Sequence, residues 1–496
     1  MQKNILLVFL LLSIFACNKN NDTPATSGST IVITDNIITQ SYVGNGVQWG
    51  GYDILNYWTG SPTLSESDWN TLYQRVRFMR PPLIRVMVAD GWNYLVNNEY
   101  NPSKSNDILI KILDFCEQEG ISVIIGEWGH NGGSTIDQGW LEQSSNFLEW
   151  LLNTKGYTCI KYFNMVNEPN GSWSTISGNY TLWKSLIEQF HAKLVDEGIA
   201  SRIKILGPDI AIWSTSSVPW INNTNADLGS TMGAYDIHTY PTETEVRNGS
   251  YQTMVKAYQT AVPVSKEIIM GEFGFKYSIA STLGIANSLR KANDPYASDD
   301  SNMMIYDAFY GVDVTDAMIQ CMLAGYAGII IWNLDDAMYN ADASASTKLK
   351  RWGFWNILGA EKFENADDEN IRPWFYPVSL MCRYFPAGTS IYSTTLPDKK
   401  GLRAIVGVKN GEYTIAIVNS NTVSYTVDLT AANGLVLNSM KAYTYKAGNN
   451  AEFTANLDAN GFAAPFEVGV TLDLSEDSAY TLSVPAQSFL LLTNMN

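Results

Sequence analysis

Ile160-Lys161-Tyr162-Phe163-Asn164-Met165-Val166-Asn167-Glu168-Pro169 and, further along the chain, Glu267-Ile268-Ile269-Met270-Gly271-Glu272-Phe273-Gly274 are two short apolar runs, each closing on a glutamate. Each reads as a buried strand, with a carboxylate at its C-terminal end. Six more strand-like runs surround them: Val43–Gln48, Leu83–Val88, Ile121–Trp128, Ile203–Pro208, Ala234–Tyr240 and Gly328–Leu334. Segments with helical periodicity lie between: Glu66–Met79, Asn106–Glu119, Gly139–Thr154, Asn179–Glu197, Val218–Asn223, Tyr251–Thr260 and Tyr306–Ala324, with Pro373–Tyr384 after the last strand. Eight strand–helix repeats predict an α/β fold, a (β/α)₈ TIM barrel over residues 38–386.

Beyond this stretch the helical period disappears. Alternating segments at Gly401–Lys409, Tyr413–Asn419, Ser424–Asp428, Met440–Tyr445, Phe462–Leu472 and Gln487–Thr493 are punctuated by Asn410-Gly411 and Asn460-Gly461. They predict a small antiparallel β-sandwich over residues 387–496. It contains no tryptophan, which favours a structural role over glycan binding.

At the other end, Lys3 precedes an apolar run from Ile5 to Leu12, too short to span a membrane. Residues 1–16 read as a signal peptide. Ile14-Phe15-Ala16-Cys17 resembles a bacterial lipobox, in which Cys17 becomes the lipidated first residue. The polar segment 17–37 is then a flexible tether. These features predict a cell-envelope protein, lipid-anchored to the outer membrane and exposed to the surface or periplasm, with no other contact with the membrane.

The charge balance is 32 basic against 49 acidic residues, a net −17, which excludes nucleic acid as a main partner and disfavours a polyanionic substrate. Fifteen tryptophans and 27 tyrosines suit neutral, hydroxyl-rich ligands, although any one of them can equally be core. With Cys17 lipidated, Cys116, Cys159, Cys321 and Cys382 form no CxxC pair, and the chain has only 3 histidines. A structural zinc site and a disulfide framework are both disfavoured, and buried thiols are expected. No metal, nucleotide or redox cofactor is implied.

Catalytic groups of a (β/α)₈ barrel stand at the C-terminal ends of its strands. Glu168 and Glu272 would face each other there, the arrangement that glycoside hydrolysis uses. Asn167-Glu168-Pro169 after the fourth strand and Gly271-Glu272-Phe273-Gly274 at the seventh resemble the acid/base and nucleophile motifs of glycoside hydrolase clan A, family 5 being nearest in texture. The resemblance covers residues 40–385. It implies that Glu168 is the general acid/base, Glu272 the nucleophile and Asn167 a hydrogen-bond partner of the sugar 2-hydroxyl. It further implies that Arg85 steadies the nucleophile, that His238 and Tyr240 support the nucleophile and the sugar, and that Trp332 is the platform under the sugar at the cleavage point. His130, after the third strand, suits a substrate hydroxyl; Glu127 reads as structurally paired. Glu168 is expected to hold a proton, raised by burial and by the charge of Glu272.

Trp173 and the loops Lys276–Asp300 and Asp335–Arg372, the latter with Trp352, Phe354 and Trp355, are expected to shape the cleft. Aromatics on long loops favour several sugar subsites and internal cutting, while the same loops can wall off a pocket for end-wise cutting. The reading is a retaining hydrolase of β-linked polysaccharide, endo-acting on a neutral β-glucan or β-mannan. An exo-β-glycosidase and a non-catalytic glycan-binding lipoprotein are the rivals, and oligomeric state is not legible.

Overall fold

The computed structural model describes residues 29–52, 64–104, 106–129, 134–336 and 348–496. The signal peptide, Cys17 and most of the expected tether lie outside the described residues, as does His130.

Eight parallel strands close into a barrel: Gly44–Gln48, Leu83–Val88, Ser122–Glu127, Ile160–Asn164, Lys204–Ile212, Met232–Thr239, Ile268–Phe273 and Gly328–Ile331, each paired with its sequence neighbours and the last with the first. The period of two sets what fills it. In the second strand Ile84, Val86 and Val88 join the core shared with the surrounding helices, while Leu83 joins a separate inner layer with Ile124, Tyr162, Leu206, Ala234, Ile269 and Ile330. This apolar layer plugs the N-terminal end. One pleat higher the interior turns polar: Gln48, Arg85, Asn164, Asp236 and His238 are all buried.

The helices follow from ordinary local rules. Glu66–Met79 starts at a capping box, Ser65 accepting from the Asp68 amide and Asp68 from that of Ser65, and buries Trp69, Leu72, Val76 and Met79 along one stripe. Ala308–Ala324 is buried almost all round, Asp313, Thr315, Asp316 and Gln320 included, because it lies between the barrel and the second sheet. Cys116, Cys159, Cys321 and Cys382 are buried free thiols. Among the described residues no helix is long and apolar enough to cross a membrane.

The C-terminal domain is one ten-stranded sheet curled around its own core of Leu402, Val406, Ile415, Ile417, Val427, Leu472 and Leu492, among others. The six expected strands are present, and Thr389–Thr395, Phe453–Ala455 and Tyr480–Val484 join them. Its outer face, including Val418, Tyr443, Tyr445, Phe489 and Leu491, merges with the barrel core. Ser420 Oγ donates to Asp316 Oδ2 at 2.6 Å, and Arg403 pairs with the same carboxylate at 3.1 Å, across that seam.

One expected boundary is corrected. The tether does not run to residue 37, nor does the barrel begin at 38: from Thr30 to Tyr42 the chain is a strand of the C-terminal sheet. It runs antiparallel to Thr389–Thr395 and parallel to Tyr425–Ala431, so the sheet is not wholly antiparallel. The reason lies in Ile31-Val32-Ile33, a β-branched alternation whose Ile31 and Ile33 enter the sheet core.

Candidate active site

Backbone irregularity aims the polar groups at the barrel mouth. Glu168 sits just past the fourth strand at φ +49° and Asp209 in the fifth at φ +58°. For a residue with a Cβ this left-handed region costs about 1 kcal/mol or more and persists where the surroundings impose it. Asp209 coincides with a break in the register to the sixth strand between Pro208 and Ile210, and a similar break between Met270 and Glu272 re-aims the nucleophile candidate. Gly271 is obligatory beside it, since a Cβ there would stand 2.7 Å from Asp236 Oδ2.

Arg85 is the hub. Its Nη1 donates to Glu272 Oε2 and to Gln48 Oε1, both at 2.8 Å, and its Nη2 to Asn167 Oδ1 at 2.9 Å and Asp209 Oδ2 at 3.4 Å. The Tyr240 hydroxyl donates to Glu272 Oε1. Glu272 is thus held at both oxygens, and Asn167, with Oδ1 committed to Arg85, keeps its amide donors for another acceptor.

His238 stands between the carboxylates. Its Nδ1 is 3.1 Å from Glu168 Oε1 and 3.7 Å from Glu272 Oε2, and its Nε2 makes a 2.7 Å ion pair with Asp209 Oδ1. Burial alone would lower its pKa, but the charges of Asp209 and Glu272 and the contacts to Asp209 and Glu168 hold it well above the imidazole value. Burial raises Asp209 too, yet His238 and Arg85 outweigh it and keep Asp209 well below the carboxylate range. Behind them, burial and the Asp209 charge push the Asp236 carboxyl well up. Its oxygens accept from the Asp209 amide at 2.8 Å and from Asn164 Nδ2 at 3.0 Å.

The expected shift of Glu168 is corrected here. Burial does raise it, but the hydrogen bond and charge of His238, with Trp173 Nε1 donating to Oε2 at 2.7 Å, bring it below the usual carboxylate value. His238 likewise contacts Glu168 more closely than the nucleophile candidate it was expected to support. The clusters Glu168–His238–Glu272 and Asp209–Asp236–His238 have ligand atoms within 4.8 Å of one another, a spacing a metal ion could use. The carboxylates at both ring nitrogens of His238 raise its pKa and so disfavour the neutral ring that metals bind.

Above this layer Met87, Trp332 and Trp352 pack with Trp92, Trp128 and Tyr240 at the mouth. Trp352 meets Trp332 at 5.3 Å and Tyr240 at 5.5 Å, both edge-on. A buried ion network holds Trp352 from behind. Asp336 Oδ1 accepts from the amides of Trp352 and Gly353 at 3.0 and 2.9 Å, and the Asp336 carboxylate pairs with Arg372 at 2.7 Å and Arg351 at 3.0 Å. Phe354 and Trp355, expected in the cleft wall, are fully buried against Trp374 and Phe375 instead. Glu127 is buried and accepts from the Tyr94 hydroxyl at 3.0 Å.

The structure therefore brings Arg85, Asn167, Glu168, His238, Tyr240, Glu272 and Trp332 to one mouth. Sequence reading missed Gln48, Asp209 and Asp236. Asp209 was within reach: it is the residue after Pro208, where the fifth strand was expected to stop.

A closed parallel barrel carrying two glutamates at the mouth, beyond strands four and seven, defines a glycoside hydrolase. The family model described as cellulase, glycosyl hydrolase family 5, matches residues 41–306, and the chain belongs to that family. No curated protein matches the chain. Solved structures of the same fold include a GH30 endoxylanase from Clostridium papyrosolvens C71 (13% identity, TM-score 0.58, covering 94% of this chain and 99% of that one). An α-L-arabinofuranosidase from Thermotoga maritima gives 14% identity and a TM-score of 0.62, covering 94% of this chain and 99% of that one. An endo-β1,6-glucanase gives 14% and 0.58, covering 96% and 94%. At such identities the likeness extends to the fold, barrel and second sheet together.

Proposed function

We propose that this glycoside hydrolase retains anomeric configuration and cuts within a neutral β-linked polysaccharide, a β-glucan or β-mannan, with Glu272 as nucleophile and Glu168 as acid/base. One observation carries the stereochemistry: an oxygen of Glu168 and an oxygen of Glu272 lie within 4.8 Å of each other. Retaining pairs stand about 5–5.5 Å apart, whereas inverting pairs leave roughly 6.5–9.5 Å for a water.

Glu272, aligned by Arg85 and Tyr240, attacks the anomeric carbon while Asn167 donates to the sugar 2-hydroxyl. Glu168 protonates the departing oxygen. That proton comes from within the cluster: His238 carries it at Nδ1, 3.1 Å from Glu168 Oε1, and the two groups titrate as a unit. In the second step Glu168 takes a proton from water, which attacks the glycosyl–Glu272 ester. Trp332 is the platform beneath the reacting sugar.

The test is a panel of β-linked glycans with products resolved by size over time and the first-formed anomer read by proton NMR. Early mixed oligosaccharides of retained configuration support the proposal and name the polymer. Monosaccharide alone replaces internal by end-wise cutting, and no product from any glycan leaves only the binding protein.

We also propose that Cys17 is lipidated and anchors the enzyme in the outer membrane. Cys17→Ser should release it from the membrane fraction and abolish palmitate labelling; unchanged fractionation removes the anchor.

A further inference from the structure

The second sheet has a hollow of its own. Thr30–Tyr42 pairs with Thr389–Thr395 in broken register: Ile33 faces Thr394 and Ile37 faces Tyr392, so Thr34, Asp35 and Asn36 stand opposite Ser393 alone. The strand bulges there, and a bulge re-aims the side chains it carries. Ser393 pins it, its Oγ lying 2.6 Å from Thr34 Oγ1 and accepting from Asn36 Nδ2 at 3.3 Å. The turn before Leu435 meets the bulge, Asn433 Nδ2 donating to Asp35 Oδ2 at 3.3 Å.

Beside the bulge lies a cavity of about 180 Å³, lined by Tyr392, Tyr413, Ile33, Val406, Asp35 and Asn433, among others. Ile33 and Val406 are buried, the two tyrosines are half-buried, and Asp35 and Asn433 are exposed. The hollow therefore runs from a polar rim, past two aromatic walls, to an apolar floor. Neither tyrosine hydroxyl has a hydrogen-bond partner among the described residues. None of the lining residues belongs to the barrel.

The chemistry of the lining selects the occupant. Among the described lining residues there is no lysine, arginine or histidine, and Asp35 is the one charged group. In a chain of net −17 such a lining repels an anion. Half-open tyrosine rings suit the C–H face of a sugar, while their hydroxyls, the Asp35 carboxylate and the Asn433 amide offer donors and acceptors to sugar hydroxyls. A purely apolar occupant would cover the same groups and leave them unpaired. The volume is well under the roughly 300–1,000 Å³ of sites for drug-sized ligands, which fits a single ring.

We propose that this hollow is a second glycan-binding site, outside the cleft, taking one pyranose unit of a neutral polysaccharide. It needs neither Glu168 nor Glu272. The lack of tryptophan in this domain pointed to a structural role, but two tyrosines supply the aromatic faces instead.

The experiment measures retention of the full chain on insoluble cellulose, mannan and curdlan, in a Glu272→Ala background so that no polymer is consumed. The cleft contributes equally to every chain compared. Tyr413→Ala removes a wall, and Asp35→Ala changes an exposed side chain and should leave the melting temperature unchanged. On the polymer that retains the parent, the dissociation constant should rise about tenfold in Tyr413→Ala and about threefold in Asp35→Ala. High salt should leave the retention intact, since it screens only charge. Unchanged dissociation constants in both variants overturn the site, as does a parent retained by none of the polymers. Release of the parent by salt overturns the neutral class of ligand. Turnover of the same polymers by wild type is read separately: retention that depends on Tyr413 without turnover keeps this site and removes the hydrolase reading, and turnover with retention indifferent to Tyr413 and Asp35 does the reverse.

Discussion

His238 Nδ1 lies closer to Glu168 than to Glu272, 3.1 against 3.7 Å, and its opposite nitrogen is ion-paired with Asp209. The imidazole thus leans towards Glu168, and the Asp209 carboxylate at its far nitrogen favours its charged form. Its pKa is raised above the ordinary value of about 6.5, so the stability it supplies is complete below that pH and is lost as pH climbs through the raised value. Removing it leaves buried carboxylates short of a counter-charge, at a cost of about 3 kcal/mol or more. His238→Ala should melt well below wild type near pH 6, and the gap should narrow at alkaline pH. A gap that stays unchanged at every alkaline pH at which the wild type remains folded refutes the charged histidine.

Glu272→Ala should lose activity on the order of 10⁴-fold or more. Azide or formate, acting from solution in the vacated space, should restore part of it with an activated aryl glycoside. Near-normal turnover in this variant removes Glu272 from the nucleophile role.

Asp336 is buried under two arginines and two backbone amides, and it holds Trp352 against Trp332 and Tyr240. Asp336→Ala should destabilise the protein by about 3–5 kcal/mol, because Arg351 and Arg372 stay buried with less compensation. Chemical denaturation measures the loss. KM should rise as well, since the mouth wall loses its backing.

Much of this was legible in the chain because barrel strands are short apolar runs and barrel chemistry sits at their ends. Arg85 was legible only through the family resemblance; in the structure it is buried two residues beyond Leu83, which belongs to the barrel's inner layer. Asp209 escaped because a break in register, which no periodicity reveals, turns its side chain inward. The shift of Glu168 escaped because it depends on which carboxylate His238 leans towards, a matter of angstroms. Phe354 and Trp355 misled because aromatic residues on a long loop look alike whether they line a cleft or plug a core. Thr30–Tyr42 was hidden because a Ser/Thr-rich approach and a strand of threonines and isoleucines differ little in composition.

That strand sets a sharp expectation for truncation. A chain beginning at residue 43 retains the whole barrel but lacks the strand between Thr389–Thr395 and Tyr425–Ala431. It should be insoluble or aggregate on expression, since two facing edges of the sheet lose their partner. A chain beginning at residue 29 should express as well as the full protein. Equal solubility of the two would show that the strand is dispensable.

The same strand has a consequence for how the molecule comes into being. Thr34 bonds to Ser393 across 359 residues, a closure worth about 5 kcal/mol of chain entropy. Thr30–Tyr42 leaves the ribosome long before its neighbours in the sheet, with both hydrogen-bonding edges bare. A nascent chain must be kept from pairing that strand with a stranger until its own C-terminal third arrives. Completion of synthesis, rather than closure of the barrel, is the event that clasps the enzyme shut.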